Sequence, residues 1–224
     1  MSKPKVVHFL GELLGIGEDL IHKLVCNNTR CSIVDTWYDL LISKMSTELE
    51  IFPERPILFN PDLVCSNDVL LYFALHEHTV DFDALASIDC DVILLLDGDS
   101  RIDAQGTSLN LIYLHDLISF SKVESTANKK LDQLFDLCIS NSRDVNLPPD
   151  KKHWWVSQQD VAACLVRLID YTGTLPQLIH ICGRRGWTNQ ETFEQLELLY
   201  NRTIAGSSGQ FQTSHLESKP VIHP

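Results

Sequence analysis

The chain has no Cys-x-x-Cys pair, no apolar run approaching the ~20 residues that a membrane-spanning helix needs, and too few basic residues to balance its acids. Eighteen Lys and Arg against thirty Asp and Glu leave a formal net charge of −12. That balance excludes nucleic acid and anionic membrane as main partners, because both repel such a surface. The seven cysteines (Cys26, Cys31, Cys65, Cys90, Cys138, Cys164, Cys182) are scattered, odd in number and mostly set inside apolar runs. They read as small buried hydrophobes of a reducing compartment, not as a disulfide frame or a zinc site. Lys3 and Lys5 precede an apolar stretch, but His8, Glu12, Glu18 and Asp19 interrupt it and no small-residue cleavage site follows, so the expectation is a cytoplasmic protein without a signal peptide. There is no internal repeat. At 224 residues the chain suits one sizeable α/β domain with a small appended lobe.

What is present is organised around residues 6–35. An apolar strand (Val6, Val7, Phe9, Leu10) runs into Gly11-Glu-Leu-Leu-Gly15-Ile-Gly17, an amphipathic helix with Leu20, Ile21, Leu24 and Val25 on one face, a second apolar run, and Asp35. This is a βαβ start of the dinucleotide-binding kind: glycines let bare backbone approach a pyrophosphate, the helix N-terminus supplies N–H groups, and an acid after the second strand accepts ribose hydroxyls. Gly11 and Gly17 occupy the first and third places of a G-x-x-G-x-x-G loop. Leu14 holds the middle place, with a glycine displaced to Gly15.

Further along, the pattern predicts a short helix over 40–50, a third strand over 56–60, helices over 69–76 and 82–87, and a buried strand over 90–97. It then predicts an apolar run over 109–117, a helix over 121–137, a strand over 137–140, an amphipathic helix over 159–170 and a late strand over 178–182. Thr188, with Glu191 three residues on, marks a last helix start. Residues 1–204 are read as a single domain whose small lobe begins near 145, and 205–224, poor in apolar residues, as a disordered tail. His76 and His78, two residues apart without a cysteine or second acid at ligand spacing, read as solvated surface, so no metal site is expected.

These pieces resemble the extended short-chain dehydrogenase family, which includes nucleotide-sugar epimerases, dehydratases and dTDP-4-dehydrorhamnose-reductase-like proteins. The matching stretches are 11–35; Phe59-Asn-Pro-Asp62-Leu63; Asp91-Val-Ile-Leu-Leu-Leu, similar to the family's fourth strand; Trp155-Val-Ser-Gln-Gln-Asp160-Val-Ala162, similar to its V-x-D-V-A entry to a late helix; and Ile179 to Gly183 followed by Thr188 and Phe193. The resemblance implies a Rossmann-like doubly wound parallel sheet with a reduced C-terminal substrate lobe. It implies NAD or NADP near Gly11, Gly15 and Gly17, with Asp35 on the ribose favouring NAD, and Asp62 and Leu63 near the adenine. It also implies catalysis by Tyr-x-x-x-Lys, whose lysine lowers the tyrosine pKa. The sequence contains no Tyr-x-x-x-Lys: Ile118 stands four residues before Lys122, and Tyr113 lies farther back.

The departures fall on cofactor and chemistry while the packing landmarks survive. The expectation is therefore a degenerate member that binds a nucleotide, a nucleotide sugar, a protein partner or a second copy of itself, with little or no redox catalysis. One alternative is an active atypical reductase or epimerase using Tyr113 and Lys122. Another is a metal-dependent glycosyltransferase using Asp97-Gly98-Asp99 as paired acids. Arg184 and Arg185 read as a solvated turn, and Trp154 and Trp155 as core or a subunit contact.

Overall fold

The computed structural model describes residues 6–13, 15–52, 54–75, 80–100, 109–118, 126–140 and 151–207. The chain divides into two compact units, residues 1–128 with 154–186 and residues 129–153 with 187–224.

The first unit opens with β1 (Val7–Gly11), α1 (Ile16–Cys26), β2 (Cys31–Ile33), α2 (Asp35–Lys44), α3 (Ser46–Ile51) and β3 (Ile57–Leu58). It continues through a 3-10 turn (Pro61–Leu63), β4 (Val69–Ala74), α4 (Phe82–Ala86), β5 (Asp91–Asp97), β6 (Asn110–Leu114) and β7 (Leu117–Ile118). After α5 (Thr126–Ile139) and β8 (Lys152–His153), the chain forms β9 (Val156–Ser157), α6 (Gln158–Ile169) and β10 (Leu178–Ile181). Seven strands make one sheet in the order β10-β6-β5-β4-β1-β2-β3, and every pairing in it is parallel. Strand order reverses at β1 and β4, which is the doubly wound Rossmann-like arrangement; its ligand crevice lies outside the carboxyl ends of the strands at that switch point.

Alternation along each strand builds two cores. One face carries Val7, Phe9, Leu71, Phe73, Ile93 and Leu95 under α1 and α6, whose apolar stripes (Leu20, Ile21, Leu24; Val161, Ala162, Leu165) pack together. The other carries Leu70, Ala74, Leu94 and Leu96, with Leu85 of α4 packed on it. His8 and Ser32, paired across β1 and β2, also lie in the sheet interior.

Three sequence expectations need correction, the first being the helix expected over 40–50, which is two helices, α2 beginning at Asp35 and α3 following a break at Met45. Residues 69–76, expected as a helix, supply β4, the strand between β1 and β5; His76 is outside the described residues, as are Glu77 and His78. Val-Leu-Leu-Tyr-Phe-Ala shows neither a polar face nor alternation, because both faces of this strand are covered. This insertion also makes 91–97 the fifth strand, not the fourth. The strand expected over 137–140 is instead the end of α5, where Leu134 and Cys138 sit four apart on one buried face.

In the second unit, β8 pairs antiparallel with β11 (Trp187–Thr188), which leads into α7 (Asn189–Ser207). Thr188 and Glu191 form the expected capping box: the Glu191 amide donates to Thr188 Oγ1 at 3.1 Å, and the Thr188 amide donates to Glu191 Oε2 at 2.9 Å. Phe193 packs on Leu134 and Cys138. α7 continues to Ser207, and the rest of the expected tail lies outside the described residues. Among the described residues no helix is long and apolar enough to cross a membrane.

The cysteines behave as buried hydrophobes at some positions and not at others. Burial pushes the Cys31 thiol far above its ordinary value, and Cys90 is pushed up to about 11 by burial and by Asp68, Asp91 and Asp89. Cys138 is raised by burial and by Glu197. Since the folded pKa is raised, these thiols favour the folded state below their unfolded value of 9.0, and that contribution is lost as pH climbs toward 11. Urea midpoints should therefore fall between pH 8 and pH 10.5. At pH 8 a thiol reagent should label the exposed Cys65 and Cys182 at once and reach Cys31 and Cys138 only on unfolding.

Candidate functional site

The carboxyl ends of β1, β2, β5, β6 and β10 gather most of the residues singled out by the sequence. Gly11 ends β1 at φ +81°, and a Cβ there would stand 2.3 Å from the Phe73 carbonyl oxygen of the neighbouring strand. That same oxygen accepts the Glu12 amide at 3.0 Å, so the turn is pinned to β4. Gly15 caps α1 at φ +77°, ψ −101°, a conformation that suits glycine. Gly17 is buried, and a Cβ would press on Leu13 at 3.1 Å. First and third glycines thus fill the turn-making and packing roles of the fingerprint. Leu14, the residue in the middle place, is outside the described residues.

The charge around this turn is negative. Among the described residues no side chain caps α1, the Glu18 amide donates to the Leu13 carbonyl at 2.9 Å, and the first turn carries Glu18 and Asp19 and the loop Glu12. Glu18 Oε2 accepts Lys44 Nζ at 2.7 Å, and Asp19 Oδ2 accepts Gln158 Nε2 at 2.8 Å. Acidic side chains in a first turn interact favourably with the positive end of the helix dipole.

Asp35 is exposed and is the first residue of α2, next to the end of β2. Two residues on, the half-buried Trp37 donates its indole N–H to the Gly11 carbonyl at 2.9 Å. The indole therefore ties the first turn of α2 to the glycine turn. The sequence offers no sign of this, because the acceptor is a backbone atom 26 residues away. Asp62 and Leu63 lie exposed in the 3-10 turn after β3, which Asn60 caps by accepting the Asp62 amide at 3.0 Å.

Asp97-Gly98-Asp99 is a tight turn: the Asp99 amide donates to Asp97 Oδ1 at 2.8 Å, and the Ser100 amide to the Asp97 carbonyl at 2.9 Å. Gly98 leaves room for the imidazole of His115, whose Nδ1 a Cβ would meet at 2.3 Å. Among the described residues no set of three or more His, Cys, Asp or Glu side chains is placed to hold a metal ion.

Tyr113 lies on β6, not on a helix, opposite His180 of β10. Their rings stack at 5.4 Å, and His180 Nδ1 is 2.8 Å from His115 Nε2. One imidazole in that pair must donate and the other accept, so the contact can pass a proton between the half-buried His115 and the exposed His180. No motif in the sequence marks this trio; its signal is the matching alternation in Ile112–His115 and Ile179–Ile181. Lys122 is outside the described residues. A Tyr-x-x-x-Lys pair needs both side chains on one helical face, and Tyr113 does not provide that.

At the far edge, Gly183 is packed against the Trp154 and Trp155 backbone and donates its amide to the Trp154 carbonyl at 2.9 Å. Gly186 faces the Trp154 indole, and Arg184 and Arg185 are exposed in the turn between the two glycines.

Sequence comparison matches the chain to no family model and to no curated protein. Structure comparison finds many likenesses. Vestitone reductase from alfalfa (Medicago sativa) superposes with a TM-score of 0.54 at 11% identity, over 88% of this chain and 82% of that one. Gre2 from Candida albicans, in complex with NADPH, gives 0.53 at 11%, over 83% and 80%. The UDP-glucose 4-epimerase of Thermotoga maritima, solved with UDP-glucose, gives 0.52 at 9%, over 87% and 82%. The chain has the fold of these short-chain dehydrogenase-like reductases and epimerases.

Proposed function

We propose that the chain uses this fold as a nucleotide or nucleotide-sugar binding scaffold with little or no redox catalysis. NADPH in the Gre2 structure and UDP-glucose in the epimerase structure support the ligand class. The observation that carries the loss of chemistry is Tyr113: it stands in a strand with its ring stacked on His180, where a phenol activated by a lysine four residues on is needed. The acidic first turn of α1 supports weak pyridine-nucleotide binding, because its carboxylates repel a pyrophosphate at Gly11.

A positioned acid/base contributes on the order of 10²- to 10⁴-fold, and Ile118 supplies none. With NADH or NADPH and nucleotide-4-ketosugars, absorbance at the nicotinamide band should stay at background. Turnover that disappears in Tyr113→Phe would overturn the proposal and favour the atypical reductase or epimerase. The Tyr113–His180–His115 stack is the feature that supports that second reading, since it supplies a proton path beside the phenol.

A further inference from the structure

A cavity of about 360 Å³ opens at the amino end of the sheet, at the other end of the strands from Gly11 and Asp97. Val69, Asp91 and Asn110, the first residues of β4, β5 and β6, reach it from the sheet, and α6 ends over it. Val69, Ile93, Leu168 and Leu175 give it an apolar lining. Six polar side chains converge on the space: Ser66, Asn67, Asp91, Asn110, Tyr171 and Thr174. None of these six side chains hydrogen-bonds elsewhere in the described chain. Ser66, Asp91, Tyr171 and Thr174 are exposed and Asn67 and Asn110 half-buried, so these groups are open to a ligand as to water, and an apolar-lined hollow of this size with a few convergent polar groups is the usual make-up of a small-molecule site.

Its electrostatics select the ligand. Among the described lining residues Asp91 carries the only charge, and the last turn of α6 adds the partial negative charge of its terminal carbonyls. Anions are repelled from such a site. A bare metal ion lacks ligands too, since no trio of ligating side chains is present among the described residues. The Tyr171 ring is held at the rim against Gly173, where a Cβ would meet its Cζ and Oη at 2.5 Å.

We propose that this cavity binds a small organic ammonium ligand, its charged nitrogen on Asp91 and its apolar body against Val69, Ile93 and Leu168. The site is independent of the carboxyl-edge proposal above and uses none of its residues.

The test is an amide-resolved NMR titration of the full chain with tyramine, and with 3-(4-hydroxyphenyl)propionate as the same body carrying the opposite charge. Tyramine should shift the Asn67, Asp91 and Asn110 amides saturably, and the acid should not. Asp91→Asn should weaken tyramine about tenfold, as expected for a charge-assisted bond. Glu50→Gln removes one charge from an exposed position on α3 and should leave binding unchanged. Gly173→Ala, which displaces the Tyr171 ring without changing charge, should also weaken it. No saturable shift below ~10 mM, where a ligand of about ten heavy atoms should register, would overturn the proposal. So would equal binding of the acid, or tyramine affinity equal in the chain and in a folded Asp91→Asn variant.

Discussion

Asp68→Ala should lower the stability of the sheet unit by about 3–5 kcal/mol, the cost of taking the acceptor from three donors, one of them fully buried. The carboxylate is 1% exposed and accepts from three donors: the Val6 amide at 3.0 Å, the Cys65 amide at 2.9 Å and His8 Nε2 at 3.3 Å. The other ring nitrogen of His8, Nδ1, is 2.6 Å from the Ser32 hydroxyl oxygen. The chain Ser32–His8–Asp68 joins β1, β2 and the turn before β4. It has the residue types of a hydrolytic triad, but all three are at most 3% exposed, so no substrate reaches the hydroxyl. Its work is to fix strand positions. Removing Asp68 leaves the buried His8 imidazole and two part-buried amides without their acceptor, whereas Asp68→Asn keeps one acceptor and should cost less. For a domain of this size the alanine variant should melt roughly 10 °C lower by scanning calorimetry. A drop within the ~0.5 kcal/mol typical of surface changes would show that the network contributes little.

Gly11→Ala should be nearly as damaging, at about 3 kcal/mol or more. The positive φ costs an alanine about 1–2 kcal/mol, and a Cβ 2.3 Å from the Phe73 carbonyl forces β1 from β4, or breaks the Glu12 amide bond to that oxygen. A melting curve of the variant reads the loss, and stability unchanged from the native chain would contradict the packing argument. This glycine is thus required by the fold with no cofactor present. A glycine fingerprint can therefore outlive the dinucleotide it once served, which weakens it as evidence of NAD binding in this chain.

The parts of the fold that were legible are those whose partners are near in sequence. The β1-α1-β2 unit declared itself by a change of period, the Thr188–Glu191 box by spacing, and β5 by a continuous apolar run. Strand β4 failed because Val69–Ala74 is apolar on both faces, and a short apolar run without alternation does not separate strand from helix. The end of α5 failed for a related reason: Leu137-Cys-Ile is apolar on its own, and only Phe193, 55 residues from Cys138, explains its helical burial. At the candidate site the glycines and Asp35 were visible. Trp37 on the Gly11 carbonyl and His115 against His180 were not, because each contact joins residues distant in the chain.

The central claim is that the carboxyl edge has kept the dinucleotide fold while losing its hold on the dinucleotide. Calorimetric titration of the unmodified chain with NADH and NADPH tests it most directly. The acids Glu12, Glu18 and Asp19 beside the glycine turn predict binding no tighter than millimolar for either cofactor. Saturable one-to-one binding at sub-micromolar concentration would contradict it.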